Sequence, residues 1–132
     1  GIIEKLCPLT DLTFEEWDKM ISINLSSNWK ILKNLESLLM NSVAPKIIFI
    51  SNTTIAKGHP YHHAYSVAKA GLETMVKIYK EEKMKFKINV ELIKLKSLKI
   101  GLLKKFYTEE NKNELENLSK ELKEIIKKVT SS

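Results

Sequence analysis

Apolar side chains recur every three, four or seven positions along the first third of the chain, which is the spacing of an amphipathic helix. Thr13 can cap the start of this helix, and Glu16 three residues later completes a capping box. We therefore predict one long helix from Thr13 to about Met40. Its apolar stripe consists of Phe14, Trp17, Ile21, Leu25, Leu32, Leu35 and Leu39.

Two apolar runs further along predict strands on either side of a second helix. Residues 47–50 are continuously apolar, which is typical of a strand covered on both faces in a parallel sheet, whereas residues 88–95 alternate. Turn residues at 58–60 separate the first strand from a helix predicted from about Tyr61 to Lys83. The packed face of that helix would contain Ala64, Ala68, Gly71, Leu72, Met75, Val76 and Tyr79.

A last helix is predicted from Thr108, which can cap it, to Val129. The order helix–strand–helix–strand–helix indicates an α/β fold with a right-handed crossover between parallel strands. With 132 residues the chain holds at most one domain. A sheet of two strands leaves edges that can pair with another chain.

Composition and charge exclude several classes of protein for this chain. The net charge is +6, but every basic residue is lysine, and beyond Lys77 the lysines alternate with glutamates as on a solvated helix face. We therefore expect no nucleic-acid partner. No apolar run approaches the ~18 residues that span a membrane, and no signal peptide is predicted. Cys7 is the only cysteine, which excludes an internal disulfide and favours a cytoplasmic location.

The candidate chemistry lies at the start of the second predicted helix, where Tyr65 and Lys69 stand four residues apart. Residues at this spacing share one helix face, one turn apart. An ammonium beside a phenol favours the phenolate, so we expect Lys69 to lower the pKa of Tyr65. Such a pair can exchange a proton with an alcohol or a carbonyl.

The residues around this pair resemble the short-chain dehydrogenase/reductase family, and in particular its 3-oxoacyl-carrier-protein reductases. Residues 65–72 (YSVAKAGL) are similar to the active-site helix of that family. Residues 8–19 resemble the stretch that leads into its fourth helix, residues 23–25 its Val-Asn-Leu signature, and residues 46–51 its fifth strand. The resemblance covers residues 1–95, and residues 96–132 are interpreted as a diverged helical tail of the same partial domain.

The resemblance implies a Rossmann-like parallel-sheet fold and an NAD- or NADP-dependent oxidoreductase that acts on a small carbonyl or alcohol. Tyr65 would be the general acid/base, and Lys69 would also hold the nicotinamide ribose. Asn24 would interrupt the fourth helix of the family and hold a water in the proton relay. Tyr61 and His62 would line the substrate pocket.

Three departures from the family pattern qualify this interpretation. The chain has no glycine-rich phosphate turn, so we expect that the N-terminal dinucleotide-binding half is missing. Leu95-Lys96 stands where the family has Pro-Gly. Asn52 occupies the position of the serine that bonds the substrate oxygen, and Ser51 and Thr53 are candidate substitutes. We favour impaired catalysis over a relocated serine.

Two alternatives remain open at the level of sequence. His59, His62 and His63 could suggest a metal site, but their spacing matches no known ligand pattern, so we favour loop histidines beside a pocket and predict no metal. The chain could also be an inactive remnant that assembles through its helices around Trp29 and Met75. The residues predicted for that homo-oligomer surface are Trp29, Leu32, Leu72, Met75 and Tyr79.

Overall fold

The computed structural model describes residues 1–52, 55–95, 119, 120, 122–127 and 130. Three main helices and two strands alternate along the chain. In order they are α1 (Phe14–Ile21), a π-helical turn (Ser22–Ser26), α2 (Ser27–Met40), β1 (Lys46–Asn52), α3 (His63–Glu82) and β2 (Asn89–Leu95). Short 3₁₀ helices precede α1, follow β1 and follow α3.

The first helical segment begins and ends as predicted. The Thr13 hydroxyl accepts a bond from the Glu16 amide at 3.1 Å, and the Thr13 amide donates to the Glu16 carboxylate at 2.9 Å. This confirms the capping box, which satisfies amide groups that lack partners within a helix. The segment ends at Met40, but it is not uniformly α-helical, because five residues in its middle form the π-helical turn.

The sheet consists of β1 and β2, which pair in parallel from Lys46 opposite Asn89 to Asn52 opposite Leu95. This confirms the predicted α/β class with a parallel sheet. Strand β1 runs two residues beyond the predicted apolar run. Ile50 on that strand is exposed within the described part of the chain, so the expectation of cover on both faces is wrong there.

The core lies between α3 and one face of the sheet. Its buried members are Leu32, Phe49, Leu72, Val76, Tyr79, Ile88 and Val90. The predicted packed face of α3 is confirmed, since its alanines and larger apolar residues are buried or partly buried. Gly71 permits a close approach to the first helical segment, because a Cβ there would lie 2.9 Å from Leu25 Cδ2.

Three details of the predicted pattern are wrong. Phe14, at the first position of α1, is 94% exposed, and Leu35 is exposed beside a groove along β1. Helix α3 begins at His63, since Tyr61 lies in the preceding turn with a φ of 64°.

The predicted homo-oligomer surface is smaller than expected, because three of its five residues are buried. Its members Leu32, Leu72 and Tyr79 are buried in the core and cannot contact another chain.

The last predicted helix is described only in part. Residues 119, 120, 122–127 and 130 are helical, whereas Thr108 and Thr53 lie outside the described residues. In the portion that the structure describes, no helix combines the length and the apolar character needed to traverse a lipid bilayer.

We predict that Leu72→Ala lowers the free energy of unfolding by about 2–5 kcal/mol, because it opens a cavity between α3 and the sheet. Ile78→Ala is the matched control on the same helix. Since Ile78 is exposed, its loss should change stability by about 0.5 kcal/mol or less. Urea unfolding followed by circular dichroism measures both. Equal losses would contradict the assignment of the core face.

Candidate active site

Tyr65 and Lys69 lie one turn apart on α3 and are both buried, with 8% and 7% of their surfaces exposed. The Lys69 ammonium lies over the Tyr65 ring, 5.6 Å from its centroid. The spacing in the sequence therefore does place the two groups together. The ammonium, however, contacts the face of the ring, where the π-electrons attract a cation.

The pKa shifts of this pair differ from the expectation that Lys69 lowers the pKa of Tyr65. Burial raises the pKa of Tyr65 above its ordinary value and lowers the pKa of Lys69 below its own. Burial disfavours each charged form, and the position of the ammonium over the ring does not offset this for the phenol. The predicted lowering of the Tyr65 pKa is thus wrong for this structure. At neutral pH the phenol keeps its proton and can donate it.

Asn24 is the most strongly bonded residue of the site. It is 1% exposed and lies within the π-helical turn. Its amide nitrogen donates to the carbonyls of Ile2 and Met20, both at 2.9 Å, and its Oδ1 accepts from the Ile2 amide at 2.8 Å. Single π-helical turns inside helices are frequent at functional sites. The interruption of the helix at this asparagine, which the resemblance implied, is present.

The same turn is supported by Asn28, whose side chain donates to the main-chain oxygen of Asn24 at 3.1 Å. A π-helical turn changes the main-chain hydrogen-bonding pattern from that of the flanking α-helices. Some main-chain groups therefore lack an α-helical partner, and side chains such as that of Asn28 supply one. Sequence reasoning missed Asn28. Its spacing of four residues from Asn24, on one helix face, was the signal that could have identified it.

The N-terminal segment reaches the pair through Asn24. A Cβ at Gly1 would clash with Asn24 Oδ1 and would lie 3.5 Å from the Lys69 Nζ, so the main chain passes directly beside the ammonium. Ile2 and Ile3 pack on the cluster formed by Met20, Ala64 and Tyr65. A groove of about 420 Å³ runs from Gly1 and Lys69 along α2 and β1.

Ser51 is one of the two residues named as candidate substitutes for the serine of the family. It is fully buried, and its hydroxyl donates to a Glu73 carboxylate oxygen at 2.9 Å, while the Lys94 ammonium pairs with the other oxygen at 2.5 Å. This network joins β1, α3 and β2. Asn52 is buried at the next strand position, which directs its side chain to the opposite face of the sheet.

Sequence reasoning also missed Glu73 and the role of His63. Glu73 follows Tyr65 and Lys69 at the same interval of four residues on α3. His63 Nε2 bonds the Lys5 carbonyl at 2.9 Å, so this buried ring ties the N-terminal segment to the start of α3. Tyr61, by contrast, is 61% exposed, and His62 beside it is half-buried. Neither lies in the buried cluster around Tyr65.

Comparison with known proteins shows that the chain is similar to oxidoreductases. The sequence profile described as enoyl-(acyl carrier protein) reductase matches residues 1–128. The uncharacterized oxidoreductase YciK of Escherichia coli K12 is 23% identical over 82 residues, which is 62% of this chain and 32% of that protein. The chain therefore spans about a third of the length of this curated relative.

Solved structures show the same fold. The oxidoreductase YciK of E. coli superposes with a TM-score of 0.72 at 22% identity, covering 83% of this chain and 45% of that one. A short-chain dehydrogenase of Shigella flexneri 2a complexed with NADP superposes with a TM-score of 0.72 at 23% identity, and the match covers 83% of this chain and 46% of that one. A short-chain dehydrogenase of Salmonella enterica serovar Typhi superposes with a TM-score of 0.73 at 21% identity, and the match covers 83% of this chain and 45% of that one.

We predict that Asn24→Ala lowers the free energy of unfolding by about 2–4 kcal/mol, because it leaves the Ile2 amide and carbonyl without their partner. Asn28→Ala is the matched control, since it removes one partly buried bond in the same turn and should cost about 1 kcal/mol. Chemical unfolding measures both values. A loss for Asn24→Ala no larger than that of the control would show that its bonds to the N-terminal segment do not stabilise the fold.

Proposed function

Because this chain belongs to the short-chain dehydrogenase/reductase family, we propose that it carries the proton-transfer half of a nicotinamide-dependent oxidoreductase site. The reaction is reversible hydride transfer between NAD(P)(H) and a carbonyl or hydroxyl carbon of a small molecule. The observation that carries the proposal is the buried Tyr65–Lys69 pair beside Asn24.

Tyr65 acts as the general acid/base. Burial holds its pKa above the ordinary value, so the phenol is protonated at every pH below that value. A protonated phenol is ready to donate to the alkoxide that forms when a carbonyl accepts a hydride. The reverse reaction needs the phenolate, which is scarce at neutral pH.

Lys69 holds part of the cofactor. Among the described residues, no acceptor forms a hydrogen bond or ion pair with its ammonium, although burial makes an unpartnered charge costly. The hydroxyls of a nicotinamide ribose are suitable acceptors, and the groove beside Gly1 and Lys69 gives them access. The bound cofactor supplies the hydride. The Shigella relative that was solved with NADP supports this class of cofactor.

Asn24 and Asn52 complete the proposed site. Both amide hydrogens of Asn24 are used within the fold, and its Oδ1 already accepts the Ile2 amide, so the second lone pair of Oδ1 is what remains to hold a water of the proton relay. Asn52 donates a hydrogen bond to the substrate oxygen in place of the serine. An amide has no hydroxyl proton to exchange, so we expect slower catalysis than with serine. Tyr61 and His62 border the substrate.

The cofactor would be bound mainly by a region that these residues do not include. The matched stretch covers less than half of each solved relative described above, which supports the assignment of residues 1–132 to one partial, catalytic domain. The single cysteine is consistent with a reducing, cytoplasmic setting.

A second candidate function is assembly without catalysis. Trp29 and Ile78 are exposed on neighbouring faces of α2 and α3, on either side of a groove that Met75 also lines. Exposed aromatic and apolar side chains of this kind are common in the core of protein interfaces. A homo-oligomer formed through these two helices is compatible with an intact site as well as with an inactive one.

We predict that a chimera of this chain, preceded by the N-terminal region of YciK, reduces carbonyl substrates with NADPH. In that chimera Tyr65→Phe should lower kcat by about 10²–10⁴-fold, because the proton donor is lost while the ring remains. Tyr79→Phe is the matched control and should retain most of the activity, because Tyr79 lies in the hydrophobic core and outside the proposed site. The oxidation of NADPH with a panel of aldehydes and ketones measures all three proteins.

The chain alone provides a second control for the same proposal. Calorimetry with NADPH and NADH should detect no binding to it, since the phosphate-binding half is supplied by the chimera. One-to-one binding by the chain alone would overturn the assignment of a partial domain. A chimera that binds NADPH but turns over equally well with Phe at position 65 would contradict the role of Tyr65.

A further inference from the structure

The turn that leads into α3 brings two imidazoles together on the surface. Residues His59–His62 form it, with the His62 amide donating to the His59 carbonyl at 3.2 Å. Pro60 at its second position and a φ of 64° for Tyr61 at its third are the features of a type II turn. Most residues avoid this conformation at the third position, where glycine is usual. The turn thus places His59 and His62 on the same side.

Three possible ligand atoms converge at this turn. The Nδ1 atoms of His59 and His62 lie 3.2 Å apart, and the Pro60 carbonyl oxygen lies 3.2 Å from the first and 2.8 Å from the second. The two rings are inclined by 74°, with their centroids 4.6 Å apart. The nitrogen lone pairs and the oxygen therefore form a small triangle beside solvent. None of these three residues belongs to the hydrophobic core.

We propose that His59 Nδ1, His62 Nδ1 and the Pro60 carbonyl oxygen bind one divalent transition-metal ion, of the kind that accepts nitrogen and oxygen ligands at right angles, such as Ni²⁺ or Cu²⁺. Water would complete the coordination on the exposed side. This proposal differs from the expectation from sequence, in which these histidines were taken as loop residues beside a pocket and no metal was predicted.

The spacing of the three atoms selects the class of ion. Ligands at metal–nitrogen distances near those of zinc would be separated by roughly 3.4 Å in a tetrahedral site and by roughly 3.0 Å in a site with right angles. The separation of 2.8 Å lies on the side of the second geometry, and the two separations of 3.2 Å lie between the two values. Mixed nitrogen and oxygen ligands in a tetragonal arrangement are typical of Cu²⁺ and Ni²⁺.

The number of protein ligands sets the expected strength. The described residues contain no group of three or more His, Cys, Asp or Glu side chains arranged for a metal. Only two side chains are available here, so a main-chain oxygen must serve as the third ligand. We therefore expect moderate, reversible binding and not a permanent structural ion. In the absence of metal, one Nδ1 proton must occupy the triangle, and binding moves that proton to the outer ring nitrogen.

Metal binding would act on the segment that orients the candidate active site. The turn ends where α3 begins, and Tyr65 follows His62 by three residues. An ion bound to both His59 and His62 would hold Tyr61, which lies between them, at its positive φ. That conformation is strained for a tyrosine. An ion that binds the folded state and not the unfolded state would also raise the melting temperature, by an amount that grows with the logarithm of the metal concentration.

The test is a calorimetric titration of the untagged full-length chain with Ni²⁺, with Mg²⁺ as the comparison ion. We expect saturable one-to-one binding of Ni²⁺ and none of Mg²⁺. His59→Ala and His62→Ala should each weaken Ni²⁺ binding by about tenfold or more, because each removes a direct ligand. Lys57→Ala is the matched control, since this residue is exposed beside the turn and leaves both imidazoles in place. Its affinity should equal that of the parent chain.

Electron paramagnetic resonance of the Cu²⁺ complex gives an independent readout. The spectrum should show two coordinated imidazole nitrogens in the parent chain and one in each histidine variant. The proposal is overturned if Ni²⁺ does not bind at millimolar concentration, or if either histidine variant binds as the parent does. It is also overturned if Cu²⁺ is held by a single nitrogen. Circular dichroism of each variant verifies that it is folded.

Discussion

The hydrogen bonds between the Asn24 side chain and the main chain of Ile2 are the interaction on which the candidate site depends. They connect the π-helical turn to a segment 22 residues earlier in the chain. That segment places Ile2 and Ile3 on the cluster that contains Tyr65, and Gly1 beside Lys69. The bonds of one asparagine thus hold in place a segment that covers part of the Tyr65–Lys69 pair. A polar residue in the middle of a helix is otherwise an unfavourable choice.

Burial then decides the chemistry of the pair. It favours the neutral phenol of Tyr65 and disfavours the charged form of Lys69. A lysine that is 7% exposed and has no acceptor among the described residues lowers the stability of the fold. Residues that weaken stability at a defined place are characteristic of sites adapted to bind a ligand. The network of Ser51, Glu73 and Lys94 is different, because its groups bond one another and join the sheet to α3.

Local signals in the sequence predicted local structure well. The capping box of Thr13 and Glu16 depends only on residues three apart, and the Tyr65–Lys69 contact depends only on the helical repeat. What the sequence did not reveal depends on distant partners. The direction of the Tyr65 pKa shift follows from its burial, to which the N-terminal segment contributes, and the exposure of Phe14 depends on which parts of the chain reach the start of α1. The convergence of His59 and His62 requires a positive φ at Tyr61, which no residue-type rule predicts for a tyrosine.

The central claim is that burial under the segment held by Asn24 keeps Tyr65 protonated at neutral pH. It is tested most directly by NMR titration of the chain with ¹³C-labelled tyrosine, in which the ring-carbon shift of Tyr65 is assigned by its loss in Tyr65→Phe. We predict that the Tyr65 signal titrates at a higher pH than the tyrosine of an unstructured peptide in the same buffer. A Tyr65 midpoint below that of the peptide would show that the Lys69 ammonium outweighs burial, and would contradict this claim.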